Sequence, residues 1–275
     1  MSANLIVLAG GKSSRMKKSL DSIDLNDQVK NIALHQHKSL IPIGSNDEPL
    51  MYYLLLNAKA AGYRRIYIVT SEENQVFKSF LARYSFVGMQ IDLCIQHTPE
   101  GQKPMGTADA VFQCVSQFEE LTKAYFTVCN ADNLYGVEAL KDMLKVREAP
   151  HALVAYNRVG LRFAGERIAK FALIVFNTQN HLEQIIEKPE EYQVSHCMRT
   201  LGELRVSMNI FSFYGPLIYD YLKDCPAHPV RKEKELPTML MIAIKEHPDS
   251  VFCFKREEHV PDLTSAMDID QFFKT

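Results

Sequence analysis

Residues 8 to 16 read Leu-Ala-Gly-Gly-Lys-Ser-Ser-Arg-Met, a set of side chains suited to holding a chain of phosphates. Gly10 and Gly11, directly after Ala9, have no Cβ, so the backbone can turn sharply and bring its N–H groups up to a ligand. Ser13 and Ser14 add hydroxyl donors, Lys12 adds a compact charge, and Arg15 adds a planar fork that matches phosphate oxygens. Spacing excludes two other phosphate loops. A Walker A loop needs glycine five residues before its Gly-Lys pair, where this chain has Ile6. A dinucleotide fingerprint needs G-x-G-x-x-G, and the sequence is G-G-K-S-S-R. Taken alone, the loop has a plainer reading as a tight turn with solvated charges, which its types and spacing favour less.

Two aspartates sit where such a phosphate chain would need a cation. Asp132 follows the apolar run 125–129, and Asp262 follows the run 251–255 after a short turn. Ligands of open α/β sheets collect beyond the carboxyl ends of strands. One or two carboxylates suffice for Mg2+ when phosphate oxygens and water complete its octahedron. Either aspartate alone is as well explained by turn formation or helix capping, and Asp268 reads as serving a short helix or the surface. Gln96 ends the run 91–95, and its amide can both donate and accept, as reading a nucleobase edge requires. The plainer reading is a polar strand end followed, at Gly106, by a helix-start glycine. Glu187-Lys188-Pro189 closes an amphipathic β-run, the proline keeping Lys188 out of helix. His35 and His37 lack Cys or carboxylate company and read as solvated histidines rather than metal ligands.

The elements that must position these residues alternate strand with helix in the first half. Apolar runs at 5–9, 65–70, 90–95 and 124–129 are separated by helical patterns at 49–62, 74–84, 106–118 and 136–146. That is the rhythm of βαβ units on a parallel sheet buried on both faces. The second half has longer β-like runs at 152–157, 169–176 and 206–214. Helices follow at 216–222 and 236–245, then a strand at 251–255 and a short helix after Ser265. The polar stretch 17–37 reads as a loop-like excursion with room for one helical turn. The whole predicts a single α/β domain over 1–275, made of a core at 1–150 and an accessory β-rich part within 151–275.

Composition limits the function. The chain has 275 residues, 47% hydrophobic and 23% charged, and a net charge of -2 from 31 basic and 33 acidic side chains. That balance argues against nucleic acid as a partner, since such binding rests on a basic surface. The apolar blocks are too short to span a bilayer, and no signal peptide is apparent. The six cysteines are scattered, without a C-x-x-C pair, and read as reduced buried thiols. These features predict a cytoplasmic protein.

Taken in order, the motifs resemble those of the sugar-1-phosphate nucleotidyltransferases, a family that includes glucose-1-phosphate thymidylyl-, uridylyl- and adenylyltransferases. The family signature L-A-G-G-x-x-[ST]-R-[LM] matches 8–16, and its K-x-L-[LIV]-P-[IV] matches Lys38 to Ile43. The interval between them is longer than the family usually has, so 17–37 looks like an insertion. Further matches are Gly106-Thr107-Ala108-Asp109-Ala110, Asn130-Ala131-Asp132-Asn133, Glu187-Lys188-Pro189 and Pro261-Asp262. They span nearly the whole chain.

The resemblance implies a Rossmann-like three-layer sandwich with a mainly parallel mixed sheet. It implies transfer of a nucleotidyl group from an NTP to a sugar 1-phosphate with release of pyrophosphate, assisted by Mg2+ on Asp132 and Asp262. It places Ala9 to Ser14, Gln96, Gly106 and Thr107 beside the nucleotide, and Glu187, Lys188 and Asn209 beside the sugar phosphate. Arg15 would face the pyrophosphate leaving group, Lys38 the α-phosphate and Lys188 the attacking phosphate. The chain departs from the family at Ala131, where glycine is usual, and at Phe171-Ala172, where Tyr-Gly is common. A non-sugar phosphate acceptor on the same scaffold, and a sensing subunit without catalysis, are the alternatives. Which NTP, which sugar, and assembly as a homo-oligomer are left open.

Overall fold

A computed structural model describes residues 3–11, 13–20, 27–43, 46–99 and 102–273. Lys12 lies outside the described residues. In chain order the elements are β1 (Asn4–Leu8), α1 (Ser14–Ser19), α2 (Asp27–His35), α3 (Leu50–Ala61), β2 (Arg65–Thr70), α4 (Gln75–Arg83), β3 (Gln90–Ile95) and α5 (Thr107–Gln117). Then come β4 (Tyr125–Asn130), α6 (Val137–Asp142), β5 (His151–Asn157), α7 (Gly165–Ile168), β6 (Leu173–Phe176), β7 (Leu182–Ile186) and α8 (Glu191–Leu201). The last are β8 (Arg205–Tyr214), α9 (Gly215–Lys223), α10 (Leu236–Glu246), β9 (Val251–Arg256) and α11 (Ala266–Phe273).

The sheet runs β3-β2-β1-β4-β8-β5-β9, with the β6–β7 hairpin joined to β8. Pairings β3-β2, β2-β1, β1-β4 and β5-β9 are parallel, whereas β8 is antiparallel to β4, β5 and β6. The chain leaves β1 for β2 on one side and later returns to β4 on the other. A crevice therefore opens between the carboxyl ends of β1 and β4, the place where open α/β sheets take their ligands.

Alternation along each strand makes the three layers. Leu5, Val7, Ile66 and Ile68 pack with Leu54, Phe77 and Leu140 from α3, α4 and α6 on one face. Ile6, Tyr67 and Val69 pack with Val111, Ile218 and Leu240 from α5, α9 and α10 on the other. A sheet buried on both faces reads as a continuous apolar run, which is why β1 and β2 are so legible. The Rossmann-like sandwich is thus observed.

Three segments differ from the sequence reading. Within 17–37 the described residues are not loop-like: α1 and α2 dock beside α11, and Met16, Leu20 and Ala33 share a third apolar cluster with Leu263, Ala266 and Ile269. Their partner lies some 230 residues away in sequence, so only tertiary burial stabilises two such short helices. The run 169–176 is strand only from Leu173, preceded by the one-turn α7. Helix α8, closed by a capping box at Glu190 and by left-handed Gly202, was not anticipated. All six cysteines are buried and unpaired, and no helix among the described residues is long and apolar enough to cross a membrane.

Gly106 ties the two halves together. Its φ is 106° and ψ -175°, a region open essentially to glycine alone. An added Cβ would lie 2.4 Å from the Lys234 carbonyl oxygen, on the segment that enters α10. Gly106→Ala is expected to destabilise the fold by about 2 kcal/mol or more, read as a lower thermal midpoint. An unchanged midpoint would show that the 234–236 segment yields freely.

Candidate functional site

The glycine loop leaves β1 at Leu8 and wraps the β1–β4 crevice. Ala9 N–H donates to Val69 O (2.8 Å) and Ala131 N–H to Leu8 O (3.0 Å), which fixes the crevice floor. Ser13 holds a left-handed backbone, φ 53°, and its Oγ accepts from the Lys38 amide at 3.2 Å. The loop and the lysine that follows α2 are thereby joined. Gly10, Gly11, Ser13, Ser14, Arg15, Lys38, Gln96, Gly106, Thr107 and Asp132 all line one open cavity of about 470 Å³.

Asp132 lines this cavity, and the backbone brings Asp262 next to it although 130 positions separate them. Asn133 and Asp262 form an antiparallel β-bridge, flanked by Leu134 N–H to Pro261 O and Leu263 N–H to Asp132 O, both 2.9 Å. Lys38 Nζ is ion-paired with Asp132. Arg167, on α7, reaches Asp262 Oδ2 at 2.6 Å and also pairs with Asp268. Burial raises the Asp262 carboxyl above its usual range, the Asp132 charge adds to this, and Arg167 opposes it. Asp268 also accepts from the Thr264 and Ser265 amides, as a helix cap would. Among the described residues no three or more His, Cys, Asp or Glu side chains gather as a metal cage. A two-carboxylate site that leaves the remaining positions to substrate oxygens and water suits Mg2+ and not structural zinc.

A second cavity of about 390 Å³ adjoins the first and shares Arg15, Thr107 and Asn130 with it. Glu187, Lys188 and Asn209 line it, with Phe171 and Ala172 opposite. Lys188 and Asn209 also have left-handed backbones, φ 47° and 56°. Asn209 sits between the Leu153–Phe211 and Ala155–Ser207 pairs, where β8 has three residues against one on β5, a bulge at which Asn209 is exposed. Tyr135 holds that bulge to the end of β4: its hydroxyl donates to Met208 O at 2.7 Å and accepts from Asn130 N–H at 3.3 Å.

Most predicted site residues that the structure describes line these two cavities; Ala9 lines an adjacent one with Gly10 and Gln96, and Asp262 lines none of them but is bridged to Asn133, next to Asp132. Two carry further duties. The Thr107 hydroxyl accepts from Leu236 N–H (3.0 Å), and Glu187 is ion-paired to Arg231 (2.5 Å). Sequence reasoning missed Arg167, Arg231 and Tyr135. The two arginines lie in stretches without apolar periodicity, and Tyr135 resembles any core tyrosine until its hydroxyl's partners are seen.

His37 corrects the reading of solvated histidines. Its Nδ1 caps the turn at Lys38–Leu40, accepting from Ser39 N–H. Burial, helped by Lys38 and Lys17 and opposed by Asp132, pushes its pKa down to about 4. His151, whose Nδ1 accepts from Tyr214 N–H, is pushed down to about 3 by burial and by Arg147. The unfolded chain takes up these protons near pH 6.5, while the folded one resists until about 4 and 3. Stability present above pH 6.5 is therefore lost as pH falls through that window. Denaturant unfolding at pH 7 and 4.5 should show the loss, and His151→Asn should lessen it; a variant with the same loss would contradict burial of a neutral imidazole.

The family model described as nucleotidyl transferase matches residues 4–260. The bifunctional protein GlmU of Staphylococcus haemolyticus is 22% identical over 247 residues, covering 90% of this chain and 46% of that protein. A glucose-1-phosphate adenylyltransferase of Francisella tularensis subsp. novicida is 23% identical over 287 residues, covering 99% and 63%. The chain thus spans less than two thirds of these relatives' length. A crystal structure of a UDP-glucose pyrophosphorylase complexed with UDP-glucose superposes over 100% of this chain and 98% of that one, with a TM-score of 0.73 at 16% identity.

Proposed function

Starting from the fact that this chain belongs to the nucleotidyl transferase family, we propose that it transfers a nucleotidyl group from an NTP to a sugar 1-phosphate and releases pyrophosphate. One observation carries the reading. The bridge between Asn133 and Asp262 brings Asp262 close enough to Asp132 for their charges to interact, and Asp132 lines the glycine-loop cavity with Lys38 and Arg15.

Asp132 and Asp262 would hold Mg2+, which neutralises a triphosphate and orients its α-phosphorus. The amides after Ala9 and the hydroxyls of Ser13 and Ser14 bind the phosphate chain. Arg15 is exposed and makes no ion pair among the described residues, so it is available to neutralise the departing pyrophosphate. It also lines both cavities, where the two substrates would meet. Lys188 and Asn209 orient the acceptor in the second. A sugar phosphate oxygen is already anionic at neutral pH, so attack needs no general base, and positioning with charge neutralisation supplies the rate. The glucose-1-phosphate adenylyltransferase and UDP-glucose pyrophosphorylase named among the similar proteins support a sugar phosphate as acceptor.

Pyrophosphate release across five NTPs and several sugar 1-phosphates tests the reading. At least one pair should turn over, and Asp132→Asn and Arg15→Ala should each lower its kcat by about a hundredfold or more with the fold intact. No turnover with any pair, or near-wild-type turnover in either variant, would overturn it.

A further inference from the structure

Edge strand β3 is bound along its free side by a row of side chains at helical i, i+4, i+8 spacing on α5. Gln117 accepts from Ile95 N–H (3.1 Å) and donates to Ile95 O (2.7 Å). Gln113 does the same for His97, accepting from its N–H (2.8 Å) and donating to its carbonyl (3.1 Å). Between these two backbone clamps lies Gln96, and the third member of the row, Asp109, meets its side chain. Gln96 Nε2 donates to Asp109 Oδ2 at 2.8 Å and to Gly106 O at 3.3 Å. Both residues are buried.

Hydrogen-bond polarity passes along this row and ends at the cavity. A backbone N–H can only donate, so the oxygen of the Gln113 amide must face His97 and its nitrogen must face Asp109, which accepts at 2.9 Å. An oxygen that already accepts from Gln113 is an acceptor for Gln96 as well. The Gly106 carbonyl, beside the same nitrogen, can only accept. Both Nε2 hydrogens of Gln96 are thus directed inward. Its Oε1 is left pointing at Gly10, 3.0 Å from where a Cβ on that residue would stand, on the lining of the nucleotide cavity.

We infer that Asp109 is a positioning residue for base selection: it fixes the Gln96 amide so that the nucleotide site presents an acceptor, not a donor, to an N–H of the nucleobase. The inference rests on the cavity binding an NTP, as proposed above. Asp109 does not line that cavity and touches no substrate; it acts through Gln96. The charge of Asp109 is not what the base senses, only the acceptor it offers. Asparagine can keep that acceptor, and alanine cannot.

Calorimetric binding of Mg2+ complexes of ATP, dTTP, UTP, CTP and GTP to wild type, Asp109→Ala and Asp109→Asn tests this without an acceptor sugar. Wild type should favour one NTP over the weakest by about tenfold or more, as one well-made polar contact allows. Asp109→Ala should weaken that NTP about tenfold and bring the five to within about threefold of each other, whereas Asp109→Asn should stay within about twofold of wild type. Inorganic tripolyphosphate, which has no base, should bind wild type and Asp109→Ala alike, a result that general damage to the fold would not give. If Asp109→Ala does not fold, Asp109→Leu, which fills the side-chain volume, carries the same expectation. Retained preference in the alanine or leucine variant, an equal loss in the asparagine variant, or no preference in wild type would overturn the inference. Wild type that selects a base yet releases no pyrophosphate with any sugar phosphate would instead overturn the transfer reading and leave the role of Asp109 standing.

Discussion

Two carboxylates from distant parts of the chain are forced together by backbone hydrogen bonds, and the surrounding charges answer that constraint. The bridge at Asn133 and Asp262 is made by the backbone and leaves both carboxylates to their surroundings. Its consequence is like charge in a partly desolvated crevice, which costs free energy unless cations are supplied. Lys38 pairs with Asp132 and Arg167 with Asp262, and Arg167 is itself shared with Asp268. A metal that arrived with a triphosphate would take over part of this neutralisation. Lys38, which lines the same cavity, would then be free to meet an anionic ligand.

The cost of assembling such a site is visible in the backbone. Ser13, Lys188 and Asn209 all hold positive φ, a conformation that costs side-chain-bearing residues free energy, least so for asparagine. They lie on separate segments, and each lines one or both cavities between which Arg15 sits. Such strain persists only where surrounding packing over-determines it. At Ser13 the Lys38 amide supplies the restraint, and at Asn209 the Tyr135 hydroxyl does, through the carbonyls of Met208 and Asn209.

The strands of the first half were legible because a sheet buried on both faces leaves an uninterrupted apolar run, as in Leu5 to Val7 and Ile66 to Val69. The glycine loop and the two aspartates were legible as types in order. Their meeting was not, because the 132–134 to 261–263 bridge leaves no local mark. Helices α1 and α2 were hidden for the same reason: Met16, Leu20 and Ala33 form a weak pattern alone and gain meaning only against α11. His37 looked solvated because its neighbours in sequence are polar, while the groups that bury it come from elsewhere. The row Asp109, Gln113, Gln117 has plain helical spacing, yet polar residues on a helix ordinarily face solvent. Nothing local marks them as the partners of an edge strand.

The central claim is that Asp132 and Asp262 share one ion when a triphosphate is bound. Manganese binding, followed by paramagnetic resonance in the presence of a non-hydrolysable NTP analogue, tests it most directly. The account predicts a single tight site per chain that is lost in Asp132→Ala and equally lost in Asp262→Ala, with both variants folded. A site that survives either substitution unchanged would contradict it.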